Sequence, residues 1–395
     1  MIPTPFDPYD RAQQVDPYPV YRALREGDPV HHNEARGFWA LSRHADVLGA
    51  LLDPASYSSA RGSFLDDDPQ RVGRTLGTTD PPRHDRLRKL ASVAFTGRRV
   101  AALAPQIERI ARDLLLRGRE TGRLDVPGEF AMPLTGRVIA GILGLPEADL
   151  PELQHWAERS VVVGAGETYG SEVQRASLES LLAYLGAAVA LRQKDPTAYD
   201  DLLGALVTAE IDGDRLSGDE LLWLAQALFV AGYETTTHAI GNACALLAEH
   251  PDSRRRLRAQ PALWPDAFEE IVRWDSPAQG FQRTLTRPVE LHRRRIPAGE
   301  RVLLLIGSAN RDEREFPEPD AFRLERRPQR HLGFGYGIHY CIGAPLARLE
   351  GRIALELLVE MLGDWEVDRA AAARAHTARF LLRGWERLPI EFAHA

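Results

Sequence analysis

Cys341 closes a glycine-rich stretch, His331-Leu332-Gly333-Phe334-Gly335-Tyr336-Gly337-Ile338-His339-Tyr340-Cys341-Ile342-Gly343, and no other residue in the 395-residue chain is better placed for chemistry. Gly333, Gly335 and Gly337 stand at alternate positions. That spacing lets the backbone adopt positive φ and offers a flat partner a surface without side chains. Beyond Cys341, residues 344–350 read as the start of a helix with Pro345 in its first turn. Backbone N–H groups and the dipole at a helix N-terminus favour a thiolate over a thiol. A thiolate so placed either attacks a substrate or ligates a metal.

Three competing uses of this stretch fail on residue type. A cysteine nucleophile needs a base held by a third group, and although His339 is near in sequence, nothing identifies an orienting partner. A Gly-x-Gly-x-x-Gly nucleotide loop is broken by Tyr340 at the third glycine position, with no clear strand ahead of it. A structural zinc site needs more ligands than Cys341 and His339 provide. The other cysteine, Cys244, reads as a small buried hydrophobe.

Three further constellations stand out. Glu234 is followed by Thr235, Thr236 and Thr237 inside Ala231-Gly232-Tyr233-Glu234-Thr235-Thr236-Thr237, in a helical run that a Ser217/Glu220 capping box opens and Pro251 ends. Such a helix is on the order of 50 Å long. A glycine and three β-branched hydroxyl residues are poor material for its middle, which points to a functional distortion rather than packing. His84 and Arg88 share one face of a helix that an Asp80 cap and two prolines open, and by itself this segment reads as a solvated basic face. Glu270 and Arg273 are one turn apart, and as an exposed pair they contribute only tenths of a kcal/mol, about 0.3–0.5.

The elements that must position these groups are mostly helices. Helical periods cover 17–25, 44–52, 100–117, 133–143, 152–162 and 171–193, and a hairpin is expected from residues 29–32 and 37–41. Residues 56–75 have no period and form a candidate substrate lid. Strand-like pieces at 281–285, 289–291 and 302–306 predict a second small sheet after the helical body. The expected class is mainly α with small β sheets. No linker, repeat or low-complexity run divides the chain, so residues 1–395 are expected to form a single domain. A net charge of -7 argues against a nucleic-acid partner. No apolar run approaches the ~20 residues a membrane span needs, and the start lacks a signal pattern, so a cytoplasmic protein without a membrane is expected.

Taken in order, these segments resemble the cytochrome P-450 haem-thiolate monooxygenases, specifically the soluble bacterial branch, over nearly the whole chain. Residues 334–343 match the family's cysteine loop, 231–236 its oxygen-activating groove, and Glu270-Ile271-Val272-Arg273 its Glu-x-x-Arg; 80–88 and 309–312 fit as well. The resemblance implies a long central helix over haem b (iron protoporphyrin IX). It makes Cys341 the axial thiolate on the metal, with Phe334 shielding the sulfur and Gly335 in the same loop. His84, Arg88, Arg283 and His339 become the groups that hold the two propionates. Glu234 and Thr235 become the acid and alcohol that deliver protons to dioxygen. Glu270 and Arg273, joined by Arg326, are structural.

The implied activity is insertion of one oxygen atom of O2 into a small organic substrate, most simply a tailoring hydroxylation in specialised metabolism. Oxidative aromatic coupling, and a peroxide-using or sensing haem protein, are the alternatives. The chain ends soon after the cysteine's helix, so electrons derived from NAD(P)H are expected from a ferredoxin and its reductase, docking at Arg348, Arg352, Lys89 and Arg98. A monomer is expected. Pocket walls are expected at 56–75, Val161-Val162-Val163-Gly164-Ala165-Gly166, Gln279-Gly280-Phe281 and Phe380-Leu381-Leu382, with Arg61 and Asp66-Asp67-Asp68 meeting polar groups. Two departures from the family are visible. Leu291-His292-Arg293-Arg294-Arg295 stands where a glycine is usual, and Glu313 replaces a proline.

Overall fold

Helices begin where side chains can satisfy the free N–H groups of a first turn. The computed structural model describes residues 6–161, 171–374 and 382–393. Its helices used below are α1 (Tyr18–Gly27), α2 (His44–Leu52), α3 (Arg83–Ala94), α4 (Ala104–Thr121), α5 (Met132–Leu143), α6 (Glu172–Lys194), α7 (Gly218–Glu249), α8 (Trp264–Trp274) and α9 (Ala344–Leu362). Ser171 caps α6 by accepting from the Gln174 N–H. Ser217 and Glu220 form the expected reciprocal box: the hydroxyl accepts from the Glu220 N–H (3.2 Å) and the carboxylate from the Ser217 N–H (2.9 Å).

The 32 residues of α7 extend about 48 Å and join two cores, one toward each end. Toward its C-terminal end Ala243 and Leu247 share a core with Ile107 and Leu114 of α4 and Leu355 and Leu358 of α9. Toward its N-terminal half Phe229 and Tyr233 share one with Ile139 of α5 and Leu181 and Leu185 of α6. Burying each such side chain stabilises the fold by roughly 1.5–3 kcal/mol. Ala239, Ile240, Gly241, Asn242, Ala243 and Cys244 are buried in succession, so this part of α7 is enclosed all round, as a central helix must be.

The expected break at Ala231–Thr237 does not occur, because α7 is continuous α-helix throughout. The hydroxyls of Thr235 and Thr237 donate to the carbonyls four residues back, Ala231 (3.0 Å) and Tyr233 (2.8 Å). Gly232 is a packing residue after all: a Cβ there would lie 2.8 Å from Ile139 Cδ1.

Five strands form one sheet. They are β1 (Val30–Asn33), β2 (Phe38–Leu41), β3 (Tyr57–Ser58), β4 (Phe281–Leu285) and β7 (Arg301–Leu304), in the order β1-β2-β7-β4-β3. The expected second sheet is therefore mostly an extension of the first. β7 pairs in parallel with β2 of the amino-terminal hairpin, and only β5 (Val289–Leu291) and β6 (Arg294–Ile296) stand apart as a two-stranded ladder.

Both departures from the family pattern have physical partners. The β5–β6 turn holds His292 and Arg293 at φ 49° and 63°, the left-handed region where glycine is usual. His292 is held there by Asp46, 2.8 Å from its Nε2. Glu313 faces the buried guanidinium of Arg25 at 3.2 Å, giving that cation a counter-charge a proline could not. The aperiodic segment 56–75 is knitted rather than open. Asp67 accepts from the Ser63 N–H (2.8 Å) and from Arg71 (3.0 Å), Asp66 bonds Tyr9, and Asp68 accepts from the Gln70 N–H (2.7 Å). The acidic trio thus spends its acceptors inside the segment and on the N-terminal strap.

α9 also buries a carboxylic acid. Glu350 is 1% exposed, one of its oxygens has no hydrogen-bond partner among the described residues, and burial pushes its pKa up to about 8.

Two outcomes follow from this architecture. Replacing Arg293 with Gly relieves a left-handed residue that carries a Cβ, and should raise stability by about 1 kcal/mol in denaturant titrations. An unchanged or lowered midpoint would mean that the arginine side chain stabilises the turn by other means. Glu350 has its folded pKa above its unfolded one. The stability of its neutral form is therefore complete below about pH 4.5 and is lost as pH rises through about 8. The melting temperature of Glu350→Gln relative to the parent should climb across that window, and a constant difference between pH 5 and 8 would rule the effect out.

Candidate functional site

The cysteine loop is shaped by its own hydrogen bonds and by two helices beneath it. The Cys341 N–H donates to the Phe334 carbonyl (2.9 Å), the Gly335 N–H to Leu332 (2.8 Å) and the Tyr340 N–H to Gly337 (3.1 Å). Gly335 and Gly337 have φ of 71° and 67°. A Cβ at Gly333 would lie 2.5 Å from Val272 Cγ1 of α8, and one at Gly337 would lie 2.5 Å from the Leu51 carbonyl of α2. At these two glycines neighbouring protein leaves no room for a side chain, and Gly337 also uses the positive φ that the spacing predicted.

Glu269 of α8 braces the loop from below. Its carboxylate accepts from Arg348 (2.6 and 2.8 Å) and bonds His331 (2.9 Å). Burial pushes this carboxyl up, but the Arg348 and His331 hydrogen bonds and charges outweigh it and hold the pKa near about 2. Arg348 also lies over the Phe334 ring at 4.3 Å and donates to the Tyr340 hydroxyl (2.8 Å). It is an internal strut, so its availability to an outside partner is less than its sequence position indicates. Arg352 faces Glu356 (3.2 Å), and Lys89, well exposed, faces Asp212 (3.5 Å).

Cys341 as a residue is exposed, yet the surrounding protein pushes its thiol pKa up. Accessibility and desolvation together place it in a recess of the molecule rather than on the outer surface. Hydrogen bonds from the Gly343 and Ala344 N–H groups and the charges of Arg88 and Arg348 pull the other way. The start of α9 therefore aids the thiolate as expected, but burial wins in the protein alone. A stronger local cation is needed to hold the charge.

Around that recess the chain gathers more cations than carboxylates, the acids being Asp85, 3.0 Å from His84 Nδ1, and Asp80 near Arg283. His84 of α3 is 1% exposed, and its Nε2 has no partner among the described residues. Its ring meets His339 edge-on at 4.5 Å. Arg283 of β4 is buried and hydrogen-bonds the Gln282 carbonyl (2.7 Å), and burial brings its pKa down to about 10 against the pull of Asp80. Burial likewise lowers Arg88, opposed by Cys341 and Tyr340. Burial and the charges of Arg283, His84 and Arg88 press His339 down to about 3. The basic face read at His84 and Arg88 is thus not a solvated one.

Five nominated residues, His84, Arg88, Arg283, His339 and Cys341, form one electrostatic cluster, and Phe334 and Gly335 belong to its loop. Glu234 and Thr235 are carried separately on α7, both half-buried. Ser59 and Asp80 were missed. Ser59 Oγ lies 3.0 Å from His339 Nε2, and its N–H donates to Asp80 (2.8 Å). Asp80 does not cap α3, whose N-cap Pro82 has no side-chain bond; it anchors Ser58 and Ser59 instead. A cap motif two residues early was the only sequence signal. Val162, Val163, Gly164, Ala165, Gly166, Phe380 and Leu381 lie outside the described residues, while Leu382 bridges to Ala278.

Glu270 and Arg273 are both fully buried, contrary to the exposed pair considered above. Arg273 donates to both Glu270 oxygens (2.6 and 2.8 Å), and Arg326 adds a third contact (3.0 Å). Arg273 also donates to the Asn310 carbonyl (2.9 Å), and the Asn310 side-chain oxygen accepts from the Leu332 N–H (2.6 Å) at the entrance to the cysteine loop.

Comparison with known proteins gives a consistent result. The profile of the family described as Cytochrome P450 matches residues 175–260 and 263–369. The chain is 39% identical over 352 residues to "Cyclomarin C epoxidase CymV" of Salinispora arenicola, covering 88% of this chain and 89% of that one. It is 39% identical over 384 residues to "Mycinamicin IV hydroxylase/epoxidase" of Micromonospora griseorubida, covering 94% of each. The solved structure of cytochrome P450 CYP109Q5 from Chondromyces apiculatus superposes with a TM-score of 0.89 at 35% identity, covering 100% of both chains.

Proposed function

Because the chain belongs to the cytochrome P450 family, as a bacterial P450 monooxygenase, we propose the following roles for its residues and the following reaction for its substrate. The family is haem-dependent, and the residues present suit that group. His84 Nε2 is buried without a hydrogen-bond partner among the described residues although Nδ1 of the same ring meets Asp85 at 3.0 Å, and buried Arg283 and half-buried Arg88 have no carboxylate within ion-pair distance, an arrangement costly unless an anion arrives. That observation carries the reading. His84, Arg88 and Arg283 would hold the two propionates of haem, with His339 and Ser59 completing the donors. Cys341 would ligate its iron through the sulfur, and Phe334 lies in the loop that shelters that sulfur. When bound, haem supplies a redox-active iron at which dioxygen is activated.

The chain's own residues control charge and protons around that centre. The N–H groups of Gly343 and Ala344 hold the Cys341 sulfur and temper its electron donation. Thr235 donates its hydroxyl proton to the Ala231 carbonyl, leaving its oxygen lone pairs to accept a proton or hydrogen bond on the pocket side. Glu234, one residue earlier and half-buried, relays protons from solvent. Electrons derived from NAD(P)H arrive through a ferredoxin at the exposed cations near the cysteine loop, among them Lys89 and Arg352. The enzyme works as a cytoplasmic monomer in which residues 1–395 act as one domain. Among the described residues no helix is long and apolar enough to cross a membrane.

The reaction is insertion of one oxygen atom into a small specialised metabolite. Both relatives named above are described as an epoxidase or a hydroxylase/epoxidase, which favours insertion over aromatic coupling.

The assignment is tested by the reduced carbon monoxide spectrum of haem-loaded protein. A red-shifted Soret band that Cys341→Ser abolishes is expected, and a parent protein without that band would overturn the ligand role. For the proton path, Thr235→Ala should keep the spectrum while product formed per NAD(P)H consumed falls on the order of tenfold or more. Undiminished coupling would remove Thr235 from the path.

A further inference from the structure

α7 is buried along most of its length, but its middle keeps one open stripe. Ala227, Val230, Ala231, Glu234, Thr235 and His238 retain some exposure, while the residues between them, Gly232 apart, are buried. Steps of three and four residues put these six on one face of the helix. Glu234 and Thr235 already have roles there, and His238 ends the stripe one turn further on.

His238 is a ring with one nitrogen sealed. Its Nδ1 is buried and has no hydrogen-bond partner among the described residues. Gly384 closes over that edge: a Cβ there would lie 2.0 Å from Nδ1 and 2.6 Å from the His238 Cβ. The segment carrying Gly384 is fixed to α7 by Asn242, whose Nδ2 donates to the Arg383 carbonyl (3.0 Å), and by Trp385, whose Cδ1 would lie 3.4 Å from a Cβ on Gly241. His238 is partly exposed, yet burial brings its pKa down to about 4. As at Cys341, that combination belongs to a group lining an internal space, and it keeps the imidazole neutral at physiological pH.

A neutral imidazole donates from one nitrogen only. A buried N–H left bare costs more than a bare lone pair, so the proton belongs on Nε2, the nitrogen that Gly384 does not seal. His238 is therefore a fixed, uncharged donor one turn from Thr235. Such a donor has little pull on an anion and gains nothing from an alkane, but it matches a neutral oxygen acceptor.

We propose that His238 Nε2 donates a hydrogen bond to a neutral carbonyl oxygen of the substrate, a ketone, ester or amide, and so orients the substrate along α7. The inference rests on the pocket side assigned to Thr235 under the proposed function.

Two measurements on the haem-loaded protein test it, with di-n-butyl ketone and n-nonane as probes. In reduced, carbon monoxide-treated protein labelled with nitrogen-15 histidine, the His238 signals, identified by their loss in His238→Phe, should show a neutral ring protonated on Nε2. The Nε2 signal should move when the ketone is added and stay in place with nonane. In Soret titrations the parent should bind the ketone saturably. His238→Phe should weaken that binding about tenfold and leave nonane within twofold, and His238→Gln, which keeps a donor, should recover much of the loss. A proton on Nδ1, an Nε2 signal that both probes move alike or neither moves, no saturable ketone binding in the parent, or ketone affinity unchanged in His238→Phe each overturns the proposal. A parent protein without the red-shifted Soret band defeats the haem assignment instead, because the tautomer and the ketone contact are read at His238 itself.

Discussion

The position of the cysteine loop depends on one ion pair sealed from water. Glu270 and Arg273 are wholly buried, and both charges are saturated: Arg273 by Glu270, Asn310 and Pro319, and Glu270 by Arg273, Arg326 and the Arg323 N–H. Such a pair stabilises little against a well-packed apolar substitute, but losing one partner costs about 3–5 kcal/mol. Its value here is geometric. Because Arg273 holds Asn310, and Asn310 holds the Leu332 N–H, a side chain on α8 sets where the loop begins. Glu269, the next residue along α8, sets where it is braced through Arg348 and His331. Two adjacent acids on one helix thus serve opposite ends of the same loop.

The loop in turn faces an electrostatic imbalance. Arg88, Arg283 and His84 are brought to one recess by α3 and β4, and His339 by the loop itself, against two acids, Asp80 near Arg283 and Asp85 on His84. Burial opposes charge on nearly every member, including the Cys341 sulfur. Folding therefore gathers buried positive charge whose desolvation an anionic partner would offset, as the role proposed for these residues requires. Binding linked to folding in this way adds to global stability.

Much of this was legible in residue order. The Ser217/Glu220 box, the amino-terminal hairpin and the run of helices followed from local rules, whereas His84, Arg88, Arg283 and His339 were named beside Cys341 only through the family resemblance. What escaped was non-local. Spacing placed Glu270 and Arg273 on one helix face but could not tell a buried face from an exposed one, since that depends on α9 and the meander. The glycines at 232, 333 and 337 looked like conformational freedom or ligand clearance, and Gly337 does take a positive φ, but the close approach of Ile139, Val272 and Leu51, far away in sequence, could not be read from their spacing. Asp80 carried a cap signal, yet its carboxylate turned to Ser58 and Ser59. The union of two expected sheets into one was invisible for the same reason.

That union bears on how the chain is made. Trp39 of β2 pairs with Val302 of β7, and Tyr57 of β3 with Leu285 of β4. During synthesis the amino-terminal hairpin leaves the ribosome long before the strands that complete its sheet exist. At about 5–20 residues per second, the edge of β2 stays open for many seconds. An open strand edge is a template for wrong partners. Contacts so distant also close slowly, since the ordering entropy is spent before the pairing rewards it. Assembly of this fold is therefore governed by its last third, and the early strands remain dependent on chaperones or on the helical body until residues 281–304 arrive.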